Sequence, residues 1–254
     1  MVERVTISLP RLPEAFDGTT VAAIADLHGG RRLGGAGAVK KIVEMVNSLQ
    51  ADVIVLLGDM VHRAHHATRY LPLLSELKAK VGIWAALGNH EHGFVWYSRF
   101  FGRWPVPSAE QWRAMYAQLG MSLLVNEAQP LHKGGARIWL IGVDDAYSGC
   151  DDLPAALQCV EGAEFSLAIT HSPDLIDHPR IAEVDLVLAG HTHGGQVRLP
   201  LLGPLYVPCR RPRERSAGLI RANNSTMYVT RGVGEGLPFR FCCNRELSLL
   251  TLRK

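Results

Sequence analysis

Val53-Ile54-Val55-Leu56-Leu57-Gly58-Asp59 is an apolar run of five residues closed by a glycine and a carboxylate. A run without polar alternation reads as a strand covered on both faces, because a half-exposed strand would put every second side chain in water. Four further runs end in the same way. Val21 to Ala25 leads into Asp26 and His28, and Val81 to Leu87 into Gly88-Asn89-His90-Glu91. Phe165 to Thr170 leads into His171, and Val184 to Ala189 into Gly190-His191-Thr192-His193. Metal-binding side chains thus stand just beyond five buried-type strands.

The segments between several strands have helical periodicity. Val39, Ile42, Val43, Val46 and Leu49 recur at the spacing of a helix facing a core. Leu71, Leu74 and Leu77 predict another helix after the Val53 strand. Ser108 and Gln111 form a capping-box pair ahead of Trp112, Met115 and Leu119. Alternation of strand and helix implies an α/β fold. In such sheets ligands gather beyond the carboxyl ends of the strands, where loops converge, and all five motifs lie at those ends.

At 254 residues, with 47% hydrophobic and 20% charged residues, the composition is that of an ordinary globular protein. No linker, repeat or low-complexity tract divides it, so residues 1–254 are expected to form a single domain. Val5, Ile7 and Leu9 read as a first strand, and the opening segment has no signal-peptide apolar core. No apolar run approaches transmembrane length. Five cysteines, an odd number without zinc-ligand spacing, favour a reduced cytoplasmic setting. A net charge of +3 is too small to imply nucleic acid as a partner.

The seven candidate ligands are Asp26, His28, Asp59, Asn89, His171, His191 and His193. Carboxylate, imidazole and carboxamide together suit a divalent transition metal, with Mn, Fe, Zn, Co and Ni as candidates and Mn first. Two ions sharing a carboxylate can clamp both the attacking and leaving oxygens of a phosphoryl transfer and make hydroxide available near neutral pH. No protein nucleophile is then required, and neither a Gly-x-Ser-x-Gly elbow nor a phosphate-cradling P-loop is present.

Asp26-Leu27-His28, Gly58-Asp59, Gly88-Asn89-His90-Glu91, His171 and Gly190-His191-Thr192-His193 together resemble the motif set of the calcineurin-like metallophosphoesterases. The resemblance implies a four-layer αββα sandwich of two mixed sheets. It implies one ion on Asp26, His28, Asp59 and His193, and a second on Asp59, Asn89, His171 and His191, with Asp59 bridging. A metal-bridging hydroxide would attack phosphorus in line. His90 matches the family's non-ligand histidine, which contacts the scissile phosphate and protonates the leaving oxygen. Glu91 stands where relatives often carry aspartate, and is expected to orient a neighbouring histidine.

Gly190 to Pro200, Thr230 to Phe241 and the opening Leu9 to Gly18 are similar to a bacterial phosphodiesterase branch. That branch includes cell-wall phosphoesterases and pyrophosphohydrolases of UDP-2,3-diacylglucosamine. A phosphodiester or pyrophosphate is therefore expected as substrate, with a lipid- or nucleotide-linked one in view. A superfamily nuclease and a non-catalytic scaffold are the competing readings. The nuclease lacks an evident basic module, and the scaffold would be expected to have lost ligands that this chain keeps.

Other stretches have plainer readings beside functional ones. Asp144-Asp145 reads as a turn rather than an acidic site. His62, His65 and His66 are surface histidines by default, with pocket contact as the alternative. Phe94, Trp96, Tyr97, Phe100, Phe101 and Trp104 are core packing, or an apolar surface that accepts lipid chains or touches the inner membrane peripherally. Arg210, Arg211, Arg213 and Arg215 read as an exposed loop, either solvated, gripping a phosphate or nucleotide headgroup, or meeting anionic lipid at a membrane surface.

Overall fold

The computed structural model describes residues 1–32, 34–94, 102, 105–160, 165–210, 215–222, 224–236 and 239–254. Two six-stranded mixed sheets face each other. The first has the order β1 (Val2–Ser8), β14 (Leu247–Arg253), β2 (Thr20–Ile24), β3 (Val53–Leu57), β4 (Gly82–Ala86) and β5 (Ser122–Leu123). Its β2, β3 and β4 are parallel, with Val21 opposite Val53 and Val55 opposite Trp84, and β14 runs antiparallel to β2. The second sheet has the order β12 (Gly218–Ala222), β13 (Ser225–Val229), β9 (Leu186–Ala189), β8 (Ser166–Ile169), β7 (Ala136–Gly142) and β6 (Glu127–Lys133).

The residues of β3 show why a continuous apolar run was needed. Successive side chains of a strand point to opposite faces. Val53, Val55 and Leu57 enter the core between the sheets, where they meet Leu140, Leu167, Ile169 and Leu188 of the second sheet. Ile54 and Leu56 enter a separate core beneath α1 (Ala36–Ser48), with Val39, Val43 and Val46 of that helix. A third core covers the far side of the second sheet, where Val187 and Met227 pack on Leu153, Leu175 and Ile181 of short helical segments. The layers are therefore helix, sheet, sheet, helix.

The helix expected at Leu71 to Leu77 takes a different form. A single α-turn, α2 (Ala67–Tyr70), gives way to a 3-10 segment at Leu71–Glu76 with Pro72 in its first turn. Leu71, Leu74 and Leu77 recur at intervals of three, which is the 3-10 repeat, and all three are buried in the core beneath α1. The capping box forms as expected at α3 (Ala109–Gln118), with Ser108 Oγ accepting from Gln111 N–H and the Gln111 side chain accepting from Ser108 N–H. The Cα-parallel strands β2, β3, β4, β8 and β9 all end toward the same edge of the sandwich, where backbone bonds such as Asp26 N–H to Gly58 O and Gly190 N–H to His171 O carry the ladders into the loops.

Phe165 lies wholly buried between the two sheets. Phe165→Ala is expected to lower unfolding free energy by about 3–5 kcal/mol in denaturant titration, the range for truncating a buried aromatic ring.

Candidate metal centre

Each of the seven candidate ligands sits in the first residues after a strand: Asp26 and His28 after β2, Asp59 after β3, Asn89 after β4, His171 after β8, and His191 and His193 after β9; the non-ligand candidate His90 follows Asn89. Five of them, Asp26, His28, Asp59, His191 and His193, adopt φ between 48° and 70°. That left-handed conformation is uncommon for non-glycine residues and costs of order 1–3 kcal/mol at each site, so packing has to enforce it. It turns each side chain back toward the gap between the sheets. Gly88 is required by the same crowding, since a Cβ there would collide with Asp59 Oδ1.

The donors converge. Asp59 Oδ2 lies 3.3 Å from His171 Nε2, 3.8 Å from His28 Nε2 and 3.8 Å from His90 Nε2. His28 Nε2 and His193 Nε2 face each other at 3.2 Å, and His193 Nε2 is 3.8 Å from Asp26 Oδ1. On the other side of Asp59, His171 Nε2 is 3.1 Å from both Asn89 Oδ1 and His191 Nδ1. Separations of 3 to 4 Å are those of donors sharing an ion at about 2.0–2.2 Å from each. Asp26 Oδ1 is buried with no hydrogen-bond partner among the described residues, and it lies 3.8 Å from His193 Nε2 in this cluster. A buried orphan carboxylate oxygen beside facing imidazole nitrogens fits a divalent cation.

Neighbouring groups set ring and amide orientation. The His171 Nδ1–H donates to Leu57 O at 2.7 Å, tying a candidate ligand of the second sheet to a strand end of the first. Asn89 donates through Nδ2 to Phe94 O, leaving Oδ1 for the cluster. His90 Nδ1–H donates to His62 O at 2.6 Å, and its backbone N–H to Asp59 Oδ1 at 2.9 Å.

Electrostatics follow from burial. Burial pushes the Asp26 carboxyl up to about 7, against the pull of His171. Burial acts the same way on Asp59, but His171, His90 and His28 outweigh it and hold its carboxyl well below the usual range. Burial would lower His171, yet Asp59 and Asp26 raise it well above an ordinary histidine. Burial lowers His28 and His193, so those rings stay neutral lone-pair donors.

Glu91 does something other than orient a histidine. Buried, it accepts from the backbone N–H groups of Asp59 (2.8 Å), Gly88 (2.9 Å) and Val61 (3.1 Å). It therefore clamps the turn that carries Asp59 to the turn that carries Asn89. A carboxylate does this because it accepts at both oxygens and donates nothing.

A cavity of about 910 Å³ opens beside the cluster. Asp59, Asn89, His90, His191 and His193 line it. His62 lines it too, its ring 5.0 Å from that of His90, whereas His65 and His66 do not. Sequence reading missed Tyr147, whose ring lies 4.5 Å from that of His191, and Arg240. The Arg240 guanidinium donates to the backbone oxygens of His193, Arg231 and Gly234, bracing His193 from behind. Only its place within the Thr230 to Phe241 motif hinted at this.

The arginine loop is corrected in part. Arg210 is exposed, but Arg215 is buried and paired with Asp177 and Asp174, so it grips the protein itself. Arg211 and Arg213 lie outside the described residues, as do Trp96, Tyr97, Phe100, Phe101 and Trp104. Phe94 stacks edge-on to Tyr147. Asp145 caps a turn by accepting from Ser148 N–H, as expected, while Asp144 pairs with His92 at 2.6 Å.

The profile of a family described as calcineurin-like phosphoesterase matches residues 19–195. The chain is 28% identical over 253 residues to the metallophosphoesterase YkuE of Bacillus subtilis, spanning 98% of this chain and 84% of that protein. It is 29% identical over 232 residues to phosphodiesterase YaeI of Escherichia coli, spanning 90% and 80%. It is 27% identical over 295 residues to the UDP-2,3-diacylglucosamine pyrophosphatase LpxG of Chlamydia trachomatis, spanning 98% and 88%.

Glu91→Gln would set an amide N–H against one of the three backbone donors. We expect a stability loss of about 1–3 kcal/mol in thermal or urea unfolding, together with weaker Mn binding by calorimetry. Unchanged Mn affinity would show that the clamp does not position Asp59.

Proposed function

We propose, for a chain that belongs to the calcineurin-like phosphoesterase family, hydrolysis of a phosphodiester or pyrophosphate bond at a centre of two divalent transition-metal ions. The observation that carries this reading is the position of Asp59 Oδ2 between two sets of donors, with His28 on one side and His171 on the other. Asp26, His28, Asp59 and His193 would hold one ion, and Asp59, Asn89, His171 and His191 the other. When bound, such a pair supplies a water acidic enough to act as nucleophile and positive charge for the developing phosphoryl oxygens. Manganese is the first candidate for the metal.

The chain's own groups account for the rest. The bond from Nδ1 to His62 O fixes the His90 ring so that Nε2 faces the cavity beside Asp59. From there it delivers a proton to the departing oxygen. Asp59 contributes to holding His90 in place, through its Oδ1 and the His90 N–H.

The lining of the cavity bears on the substrate. Arg31 and His62, 3.5 Å apart, form a polar wall next to His90. Val197, Leu205, Tyr206 and Phe239 form an apolar one. An amphipathic phosphate ester such as UDP-2,3-diacylglucosamine, the compound named for the Chlamydia relative, matches both walls.

Purified protein is expected to contain about two transition-metal ions and to hydrolyse bis-p-nitrophenyl phosphate, losing activity to chelation and regaining it with Mn. Full metal content without turnover of any ester tried would leave a scaffold and sink the hydrolase reading. Asp59→Asn should abolish binding of both ions by elemental analysis; loss of one alone would overturn the bridge. His90→Ala should retain metal and lose roughly 10²–10⁴-fold in rate, the usual worth of a proton-transfer group.

A further inference from the structure

Exposed large apolar side chains gather on one ribbon of this protein. A hairpin pairs β10 (Arg198–Leu199) with β11 (Gly203–Pro204), and Pro200, Leu201 and Leu202 form its tip. The segment at Phe241 joins it through a single β-bridge to Val197, with Arg198 N–H donating to Phe241 O and Phe241 N–H to Gln196 O, both at 3.0 Å. Leu201, Leu202, Leu205, Tyr206, Phe239 and Phe241 are each at least half exposed, and Leu201 fully so. Leu201 moreover stands at φ 66°, a backbone conformation a leucine rarely adopts. Soluble surfaces seldom collect apolar groups in this way unless something covers them.

Charge and shape point to what covers them. From Gly194 to Arg213 the sequence has four arginines and no carboxylate. Arg210, six residues beyond the end of β11 in the sequence, is exposed. A protruding tip of two leucines with a cationic flank suits a fluid apolar medium under an anionic layer, rather than the matched flat face of a folded partner. Tyr206 and Phe239 belong both to the ribbon and to the lining of the phosphoester cavity. Aromatic rings favour the headgroup level of a bilayer.

We propose that the Leu201–Leu202 tip inserts into the surface of an anionic bilayer and sets the cavity mouth at headgroup level, where it draws a lipid-linked phosphoester from the membrane. The second half rests on the phosphoesterase reading; the docking itself does not. Arginine–phosphate attraction and buried leucine area act together, as in other interfacial anchors.

Sedimentation of the full chain with phosphatidylglycerol-containing vesicles tests this, against vesicles of phosphatidylcholine alone. Wild type should bind the anionic vesicles, at least tenfold more tightly than the double variant Leu201→Asp/Leu202→Asp, and weaken as salt rises. Aspartate tolerates the left-handed backbone at 201, and the single variant Leu202→Asp gives the same comparison without touching that position. Both variants should hydrolyse soluble bis-p-nitrophenyl phosphate at the wild-type rate. No vesicle binding by wild type, or equal binding by the variants, overturns the docking proposal. So does a wild-type dimer that the substitutions dissociate, since a second copy would then cover the ribbon. Vesicle binding by a protein that hydrolyses no ester would support docking and overturn the phosphoesterase reading instead.

Discussion

Asp59 is a carboxylate 2% exposed, with three imidazoles within 4 Å of one of its oxygens. A buried charge costs several kcal/mol unless partners surround it, and here the partners come from three different strand ends. His171 above all holds the Asp59 carboxyl low against its burial, and Asp59 in return raises His171. Removing any one member would leave the others buried and short of a partner. The local backbone accordingly tolerates left-handed conformations at five of the seven candidate ligand positions. Strain of that kind persists only where surrounding structure over-determines it.

The sandwich exists to make that encounter possible. Asp59 and His171 are separated by more than a hundred residues, and they belong to different sheets. The apolar faces of β3 and β8 meet in the core between the sheets, which brings the two strand ends together. The hydrogen bond from His171 Nδ1–H to Leu57 O then fixes the alignment at the site itself. Glu91 does the equivalent within the first sheet by joining the turns after β3 and β4. Packing supplies the approach, and directed polar contacts supply the register.

How much of this was legible depended on whether a residue's role was local. The five strands could be read because two-sided burial leaves a continuous apolar run, and α1 because its stripe repeats at helical spacing. The capping box of Ser108 and Gln111 is local by nature. Leu71, Leu74 and Leu77 predict an α-helix by their spacing, but the three-residue interval with Pro72 favours the tighter 3-10 form. Glu91 reads as a partner of its neighbouring histidine, yet its oxygens reach the backbone donors of Asp59 and Val61, thirty or more positions away, as well as nearby Gly88. Arg215 shared a run with Arg210, but Asp177 on a separate segment decided that it is buried.

The sequence by itself determined which side chains can bind metal, that they follow strand ends, and that the fold alternates strand and helix. Hydrophobic periodicity and turn residues are short-range signals, and a chain carries them in linear order. Only the tertiary structure decided that Asp59 lies between two sets of donors, that His90 is turned by His62 O, and that six apolar side chains share a ribbon beside the cavity. Each of these depends on distances between residues far apart in the chain. Those distances are set by the packing of the two sheets, which no local pattern encodes.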